Sequence, residues 1–339
     1  MQALRLVRGR LLAALPGVIG VVLVAFALNR LLPGDPAAYF AGPSATREAV
    51  EQIRAQLGLD RSIPEQLGLY LRDLARGDLG RSLTTGQPVL ADLLARLPAS
   101  LELTLVGLAL ALAVALPLGI AAALRPGSWI DHAARVLSTL GAALPLFFTG
   151  LLFVYVFYYL LGWAPPPLGR LDSLWSPPPT VTGLYLADAA LAGNWSLAGA
   201  AARQLALPAL TLAIVAIAPL TRMTRAAMLA VLSSDFVRTA RASGLSSRTV
   251  VWVYALRNAL LPVLTSLGMV FSFLLGAGVV VEKVFAWPGV GSYALEAVIA
   301  ADYAPVQGFV LLMATLYVLL NLAIDLAYGL VDPRIRIEA

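Results

Sequence analysis

The residues that could carry out chemistry are few in this 339-residue sequence, and they exclude most classes of enzyme. A nucleotide-binding loop of the form Gly-x4-Gly-Lys-Ser/Thr needs a lysine, but the one lysine, Lys283, is followed by Val284. There is no cysteine and one histidine, His132, which excludes disulfides, thiolate chemistry and a cysteine- or histidine-cluster metal site. We therefore predict no catalytic residue, no metal site and no cofactor bound by this chain.

An intramembrane hydrolase would need both a nucleophile and a base. His132 could act as a base only if the fold brought a serine close to it, and no Gly-x-Ser-x-Gly motif occurs. His132 lies in a short polar segment between Arg125 and Arg135, which favours a solvated loop residue.

The composition indicates that the elements holding these residues lie in a lipid bilayer. The sequence is 60% hydrophobic and 13% charged, with a mean hydropathy of +0.83. Soluble domains need about 25% charged residues to cover their surface. The net charge of +5 does not indicate nucleic-acid binding, because basic residues of membrane proteins collect on cytoplasmic loops.

Six uncharged runs are long enough to cross the hydrocarbon core as helices, which takes about 20 residues. We therefore predict an all-α integral membrane fold with six transmembrane helices, at Leu11–Asn29, Leu103–Leu124, Val136–Gly169, Gln204–Leu220, Asn258–Val281 and Tyr303–Ile324. The first run could be a signal peptide, but it is long and leads into Arg30 rather than a small-residue cleavage site, which favours a retained helix. In the third run, the helix should end near Trp163 because three prolines follow.

The distribution of arginine predicts the orientation in the membrane. Segments that are internal when the N-terminus is inside contain Arg5, Arg8, Arg10, Arg125, Arg135, Arg222, Arg225, Arg238, Arg241, Arg248, Arg257, Arg334 and Arg336. The two short external segments contain only Arg170, Arg203 and Lys283, so both termini should be cytoplasmic. The long external loop after the first helix should be folded, with short helices at Ala45–Leu57 and Pro64–Leu74 and a turn at Gly77–Gly80.

The segment between the fourth and fifth helices is the most informative part of the sequence. Two short helices should meet at Gly244, because glycine permits the positive φ that ends a helix, and Ser246 or Ser247 can cap the second one. Phe236, Val237 and Ala240 would offer an apolar or small contact surface, beside basic residues at Arg238, Arg241 and Arg248. The segment could lie on anionic lipid headgroups or dock on a protein, and the small residues beside the turn slightly favour docking.

This segment resembles the cytoplasmic signature of binding-protein-dependent ABC importer permeases, and its Arg-Thr-Ala-Arg-Ala-x-Gly form resembles the dipeptide, oligopeptide and nickel branch. Ala255–Pro262 is also similar to that branch, whereas Tyr254 stands where the branch commonly has histidine. Further similar segments are Leu31–Pro36, Gly77–Ser82, Val281–Gly291 and, at the end of the sequence, Asn321–Asp325, Tyr328 and Asp332–Arg336.

The resemblance implies a first permease subunit of a peptide importer, with residues 1–98 as an N-terminal helix and external loop and residues 99–339 as the type I transmembrane domain. Its coupling loop, at about 233–257, would seat a helix in a cytoplasmic ATPase subunit through Asp235, Arg238, Thr239, Ala240, Arg241, Ala242, Gly244 and Leu245. The implied partners are a second permease, two ATPase subunits that bind ATP and Mg, and an extracytoplasmic solute-binding protein. The implied location is the inner membrane of a prokaryote.

The segment Glu282–Gly291 has two interpretations. Glu282, Trp287, Pro288, Gly289 and Gly291 could form an external gate near the pore, as the resemblance suggests. The alternative, which the residues alone favour, is an interfacial turn anchored by Trp287 and Lys283.

Three charged residues lie near the predicted membrane helices, and one alternative class of transporter remains open. Arg222, Arg225 and Asp325 lie near helix ends, where they can reach water or pair, so we assign them a structural role. An ion-coupled secondary transporter or a channel remains the alternative function, because Pro117, Pro145 and Pro219 could break helices inside the membrane.

Overall fold

The computed structural model describes residues 16–27, 36–42, 45–56, 58–300 and 302–331, and these residues are almost entirely helical. The first four helices are α1 (Pro16–Ala27), α2 (Pro36–Ala41), α3 (Arg47–Gln56) and α4 (Ile63–Ala75). The next five are α5 (Val89–Leu124), α6 (Trp129–Ala143), α7 (Leu146–Leu160), α8 (Tyr185–Leu191) and α9 (Trp195–Leu232). The last four are α10 (Asp235–Ala242), α11 (Ser247–Val284), α12 (Val290–Ile299) and α13 (Tyr303–Val331).

The membrane-spanning character of the fold agrees with the sequence prediction. Four helices are long and apolar enough to cross a bilayer, namely α5, α9, α11 and α13, and the bent pair α6 and α7 can form a fifth span. Part of the first predicted span is the apolar helix α1, and the remainder of that span lies outside the described residues. Within the described ranges there is no β-strand, only an isolated bridge between Arg81 and Pro88.

The third predicted span is not one continuous helix. α6 and α7 meet at an angle of 101°, and the break lies at Leu144 and Pro145. Leu144 has an extended backbone with ψ of 131°, which is the conformation that a following proline imposes on its neighbour. α7 then ends at Leu160, close to the predicted end near Trp163.

Other prolines lie inside helices without breaking them. Pro117 lies in α5, and Pro208 and Pro219 lie in α9. α9 is much longer than the predicted Gln204–Leu220, because it begins at Trp195, where the side chain of Asn194 accepts a hydrogen bond from the Leu197 amide. The second external loop is correspondingly shorter than the sequence suggested.

The loop between α1 and α5 is folded, as predicted. Its helices α3 and α4 match the two predicted amphipathic helices to within two residues at each end. A capping box between Ser62 and Glu65 starts α4, and Gly77 turns the chain after it with φ of 76°.

The described residues form two compact units, which interleave along the chain. One contains Pro98–Pro288 together with residues 319–331, and the other contains the described residues up to Leu97 together with Gly289–Val318. The core of the first unit is formed by α5, α9 and α11, with Leu103, Leu212 and Leu274 fully buried. The division into residues 1–98 and 99–339 stays a prediction.

Close helix contacts around α9 depend on glycine. A Cβ at Gly107 or Gly119 of α5, or at Gly141 of α6, would lie only 2.7–3.0 Å from atoms of α9. At Gly119 the nearest atoms are the Thr224 Cβ at 2.7 Å and the Thr221 carbonyl oxygen at 3.0 Å. Small residues of this kind let membrane helices approach each other closely enough for their backbones to pack.

Gly119→Ala should therefore destabilise the protein, because the added methyl group forces α5 away from α9. We expect a loss of about 1–3 kcal/mol, as for overpacked cores. Gly276→Ala in α11 is the matched control, because its Cβ would meet no atom within 4 Å. Thermal unfolding in detergent measures the difference, and equal midpoints for the two variants would contradict this packing.

Candidate functional site

The turn at Gly244 joins α10 to α11 with the geometry that its sequence predicts. Gly244 has φ of 79°, its amide donates to the Arg241 carbonyl oxygen at 3.0 Å, and the Leu245 amide donates to the Ala240 carbonyl oxygen at 3.3 Å. These two hydrogen bonds form a Schellman motif, which ends α10 and reverses the chain direction. Ser246 then caps α11 by accepting a hydrogen bond from the Thr249 amide at 3.2 Å.

The inner face of α10 packs on its own chain. Val237 is fully buried and Ala240 is 7% exposed, and they form one hydrophobic cluster with Val250 of α11, against which Val231 of α9 packs. The prediction that Val237 and Ala240 supply an external contact surface is therefore wrong for this structure. The cause is the helical period: these two residues lie three apart and share one face, and that face covers the α9–α11 junction.

The outer face of α10 carries the remaining predicted docking residues. Phe236 and Leu245 are 44% and 38% exposed, which leaves two large apolar side chains on the surface. Around them lie the exposed residues Asp235, Arg238, Thr239, Arg241 and Ala242. Arg238 pairs with Asp235 one turn earlier on the same face. We call these seven exposed residues the α10 face; they are Asp235, Phe236, Arg238, Thr239, Arg241, Ala242 and Leu245. The α10 face combines apolar and charged groups, as protein interfaces do.

The first turns of α11 differ from a regular α-helix. Val250–Ala255 forms a π-helix, a conformation that occurs frequently at functional sites. Trp252, Val253 and Tyr254 are exposed along it. Tyr254, the departure from the family pattern, thus lies at the surface beside the turn.

An ion pair fixes α6 to the same end of α9. The Arg225 guanidinium donates to both oxygens of the Asp131 carboxylate, at 2.6 and 2.9 Å, and Asp131 is 1% exposed. The structural role assigned to Arg225 is confirmed, whereas Asp131 escaped the sequence analysis because no motif marks it. The nearby His132 is exposed, as predicted, although it lies on α6 rather than in a loop.

The opposite end of α11 holds the predicted gate residues Glu282 and Trp287. Glu282 is 3% exposed and accepts a hydrogen bond of 2.5 Å from the Ser100 hydroxyl. Trp287 is 1% exposed, and its indole donates to the Ala99 carbonyl oxygen at 2.9 Å. An interfacial turn anchored by Trp287 is therefore wrong, because this side chain lies in the core of the first unit.

The other predicted gate residues complete the turn. Pro288 is exposed and Gly289 starts α12 as its N-cap residue, followed by Gly291 in the first turn of that helix. Ala286 adopts φ of 50°, which is uncommon for a residue with a side chain.

A second buried ion pair lies on the same side of the first unit, and the sequence analysis missed it. Arg170 donates to the Glu102 carboxylate at 2.7 Å and to the Gly183 carbonyl oxygen at 2.8 Å, and its guanidinium lies 3.4 Å from the centre of the Tyr185 ring. The other Glu102 oxygen accepts from the Leu186 amide at 2.8 Å. Glu102 directly precedes the second apolar run, and a charge at that position could have indicated a buried ion pair.

Asp188 organises the loop that ends at α8. Burial raises the pKa of its carboxyl, but hydrogen bonds from the Thr182 hydroxyl and from the amides of Thr182, Val181 and Gly183 outweigh burial, so the pKa lies below its ordinary value of 3.8. The carboxylate therefore stabilises the fold fully above pH 3.8, and this contribution is lost as the pH falls through the lowered pKa.

Family comparison identifies the chain as similar to transport components over almost its full length. The family described as "Binding-protein-dependent transport system inner membrane component" matches residues 115–337. The family for the N-terminal part of such membrane components matches residues 3–104.

Three curated relatives illustrate the similarity. The probable D,D-dipeptide transport system permease protein DdpB of Escherichia coli strain K12 is 46% identical, over 94% of this chain and 93% of the relative. The di/tripeptide transport system permease protein DppB of Pseudomonas aeruginosa strain UCBPP-PA14 is 44% identical, over 96% and 97%. The dipeptide transport system permease protein DppB of Alkalihalophilus pseudofirmus is 38% identical, over 96% and 98%.

The fold is similar to that of a solved transporter. An inward-facing structure of the MetNI methionine ABC transporter matches with a TM-score of 0.51 and 17% identity, over 69% of this chain and 93% of the other. At this identity, the match supports the membrane fold alone.

Asp188→Asn should lower the thermal midpoint at neutral pH, because an amide cannot accept all the hydrogen bonds that converge on the carboxylate. We expect the free energy of unfolding to fall by about 1–3 kcal/mol. The difference in thermal midpoint between the variant and the parent should narrow below pH 3.8, because the parent carboxyl is then protonated. Asp172→Asn is the control, because an amide oxygen can still accept from the Leu174 amide. A difference in thermal midpoint between Asp188→Asn and the parent that stays constant from pH 7 to pH 3 would contradict this role of Asp188.

Proposed function

The chain belongs to the inner membrane components of binding-protein-dependent transport systems, and we propose that it forms half of the pore of an ATP-driven peptide importer. The observation that carries the proposal is similarity at 38–46% identity to dipeptide and di/tripeptide permeases over more than nine tenths of the chain. Similarity of this extent covers the membrane helices and the Gly244 turn together. It favours an importer subunit over an ion-coupled transporter or a channel.

We propose that the α10 face docks on a cytoplasmic ATPase subunit. Support comes from the exposed apolar side chains of Phe236 and Leu245 together with the charged residues around them, a combination that protein interfaces use. The buried contacts of Val237 and Ala240 with Val231 and Val250 would pass a displacement of α10 to α9 and α11. The docking surface proposed here excludes Ala240, because its side chain faces inward.

The orientation follows from the same assignment. We infer that the Gly244 turn and both termini are cytoplasmic, because thirteen arginines, named above, would then lie inside. The turn at Trp287 would lie on the outer side, where a solute-binding protein delivers its load. Its buried packing on Ala99 and Ser100 is compatible with a gate that moves together with α5.

The energy for transport would come from other subunits. We propose that two ATPase subunits bind ATP and Mg, because the sequence contains no phosphate-binding loop. A second, non-identical permease would complete the pore. The solute class is peptide, and discrimination among peptides would rest mainly with the binding protein.

Transport itself is the direct test. We expect the complete complex in proteoliposomes, with its ATPases and binding protein, to take up a dipeptide only when ATP is present on the cytoplasmic side. Phe236→Asp should lower ATP-dependent uptake about tenfold or more, because it removes an apolar contact of hot-spot type and adds a charge. Leu174→Asp is the control, since Leu174 is 89% exposed in the loop before α8.

The result that would contradict the proposal is equally direct. Uptake driven by an ion gradient in the absence of ATP would reject the importer assignment. Normal ATPase binding and uptake by Phe236→Asp would reject the α10 face alone.

Gly244 offers a second probe of coupling. A Cβ at Gly244 would meet no atom within 4 Å, so Gly244→Trp should insert and fold, although its positive φ adds about 1–2 kcal/mol of strain. We expect ATP hydrolysis to continue while uptake falls, because the indole stands where the ATPase would approach. Gly244→Asn tests whether the positive φ alone affects transport, because asparagine tolerates positive φ and its side chain is much smaller than an indole. This variant should keep most of the uptake. Equal uptake by the two variants would contradict this prediction.

A further inference from the structure

An open cavity of about 640 Å³ lies between α9 and α11 of the first unit. Pro219, Met223, Met269, Val270 and Phe273 give it a largely apolar wall. Met269 and Phe273 are 62% and 56% exposed, so this wall is not filled by side chains of the same unit. A cavity of this size can hold a small peptide-like molecule.

Arg222 supplies the cationic group of the cavity. Within the part of the chain that the structure describes, its guanidinium makes no hydrogen bond and no ion pair. Arg225, three residues later on the same helix, is held by both oxygens of Asp131. The Arg222 side chain is exposed in the structure, so an anion that enters the cavity can reach its guanidinium.

We propose that this cavity is a transient binding site on the transport path, where Arg222 binds the carboxylate of the passing peptide. The proposal rests on the proposed function and assigns to Arg222 a role beyond the structural one inferred from the sequence. The site would be one of weak, passing contact, since the solute has to leave it again.

The chemistry of the wall favours a peptide carboxylate over other ligands. Arginine presents a planar pair of N–H groups that matches a carboxylate. None of the described residues that line the cavity is acidic, so they offer no counterpart for a cation. Methionine and phenylalanine side chains adapt to apolar groups of different shape. The combination would recognise the carboxylate that peptides share and tolerate the side chains that differ.

The absence of cysteine from the natural sequence allows a direct test by chemical rescue. In Arg222→Cys, ATP-dependent uptake of a dipeptide at saturating binding protein should fall about tenfold, the size expected for a lost charge-assisted hydrogen bond. Treatment with aminoethyl methanethiosulfonate restores a positive charge at this position and should recover most of the uptake. Methyl methanethiosulfonate is neutral and should not recover it.

Two controls separate this effect from general damage. The cysteine-free parent treated with each reagent corrects for cysteines on the other subunits. Arg203→Cys removes an exposed arginine from the opposite end of α9 and should keep parental uptake with and without reagent. A dipeptide amide lacks the carboxylate that Arg222 is proposed to bind. The ratio of variant to parent uptake of this amide should therefore fall less than twofold in Arg222→Cys.

The outcomes distinguish this inference from the proposed function. Parental uptake by Arg222→Cys, equal rescue by the neutral reagent, or an equal loss for the dipeptide amide would each overturn the carboxylate site. Loss of the second permease on purification of Arg222→Cys would overturn it too, because Arg222 would then pair across the subunit interface. In all four cases, ATP-dependent uptake by the parent would leave the importer assignment standing.

Discussion

Close packing of neighbouring helices on α9 is the contact on which the first unit depends. In a bilayer, lipid tails are as apolar as leucine, so burying more leucine does little to hold helices together, and backbone proximity matters more. Gly107, Gly119 and Gly141 bring α5 and α6 to within van der Waals contact of α9. The functional segments all branch from this assembly: α10 follows α9, and the cavity lies along it. The position of every proposed site therefore depends on helix spacing set by residues with no side chain.

Ionic groups then fix the two ends of the unit. Arg225 pairs with Asp131 near one end of α9, and Arg170 pairs with Glu102, which lies within α5. In each pair the carboxylate is nearly inaccessible, so removing the arginine would leave a buried charge, which costs about 3–5 kcal/mol. Such pairs stabilise specific helix positions more than they increase total stability. Arg222 lies three residues before Arg225 near the same end of α9, and the described residues include no ion pair to it.

The sequence predicted the class of fold and the Gly244 turn because each depends on local signals. Apolar runs of spanning length and a glycine between two short helices need no knowledge of distant contacts. The prolines show the limit: Pro145 breaks a helix, whereas Pro117 and Pro219 do not, because the outcome depends on which neighbours satisfy the freed carbonyl groups. The burial of Ala240 and Trp287 was likewise beyond local patterns, since each packs on residues distant in sequence.

The short connections on either side of α10 have a mechanical consequence. Only Ser233 and Ser234 separate it from α9, and only residues 243–246 separate it from α11. Linkers of two and four residues can absorb little displacement. A movement of α10 would therefore be transmitted to both α9 and α11. Because α9 and α11 also form the walls of the cavity, a displacement of α10 would act on both walls together.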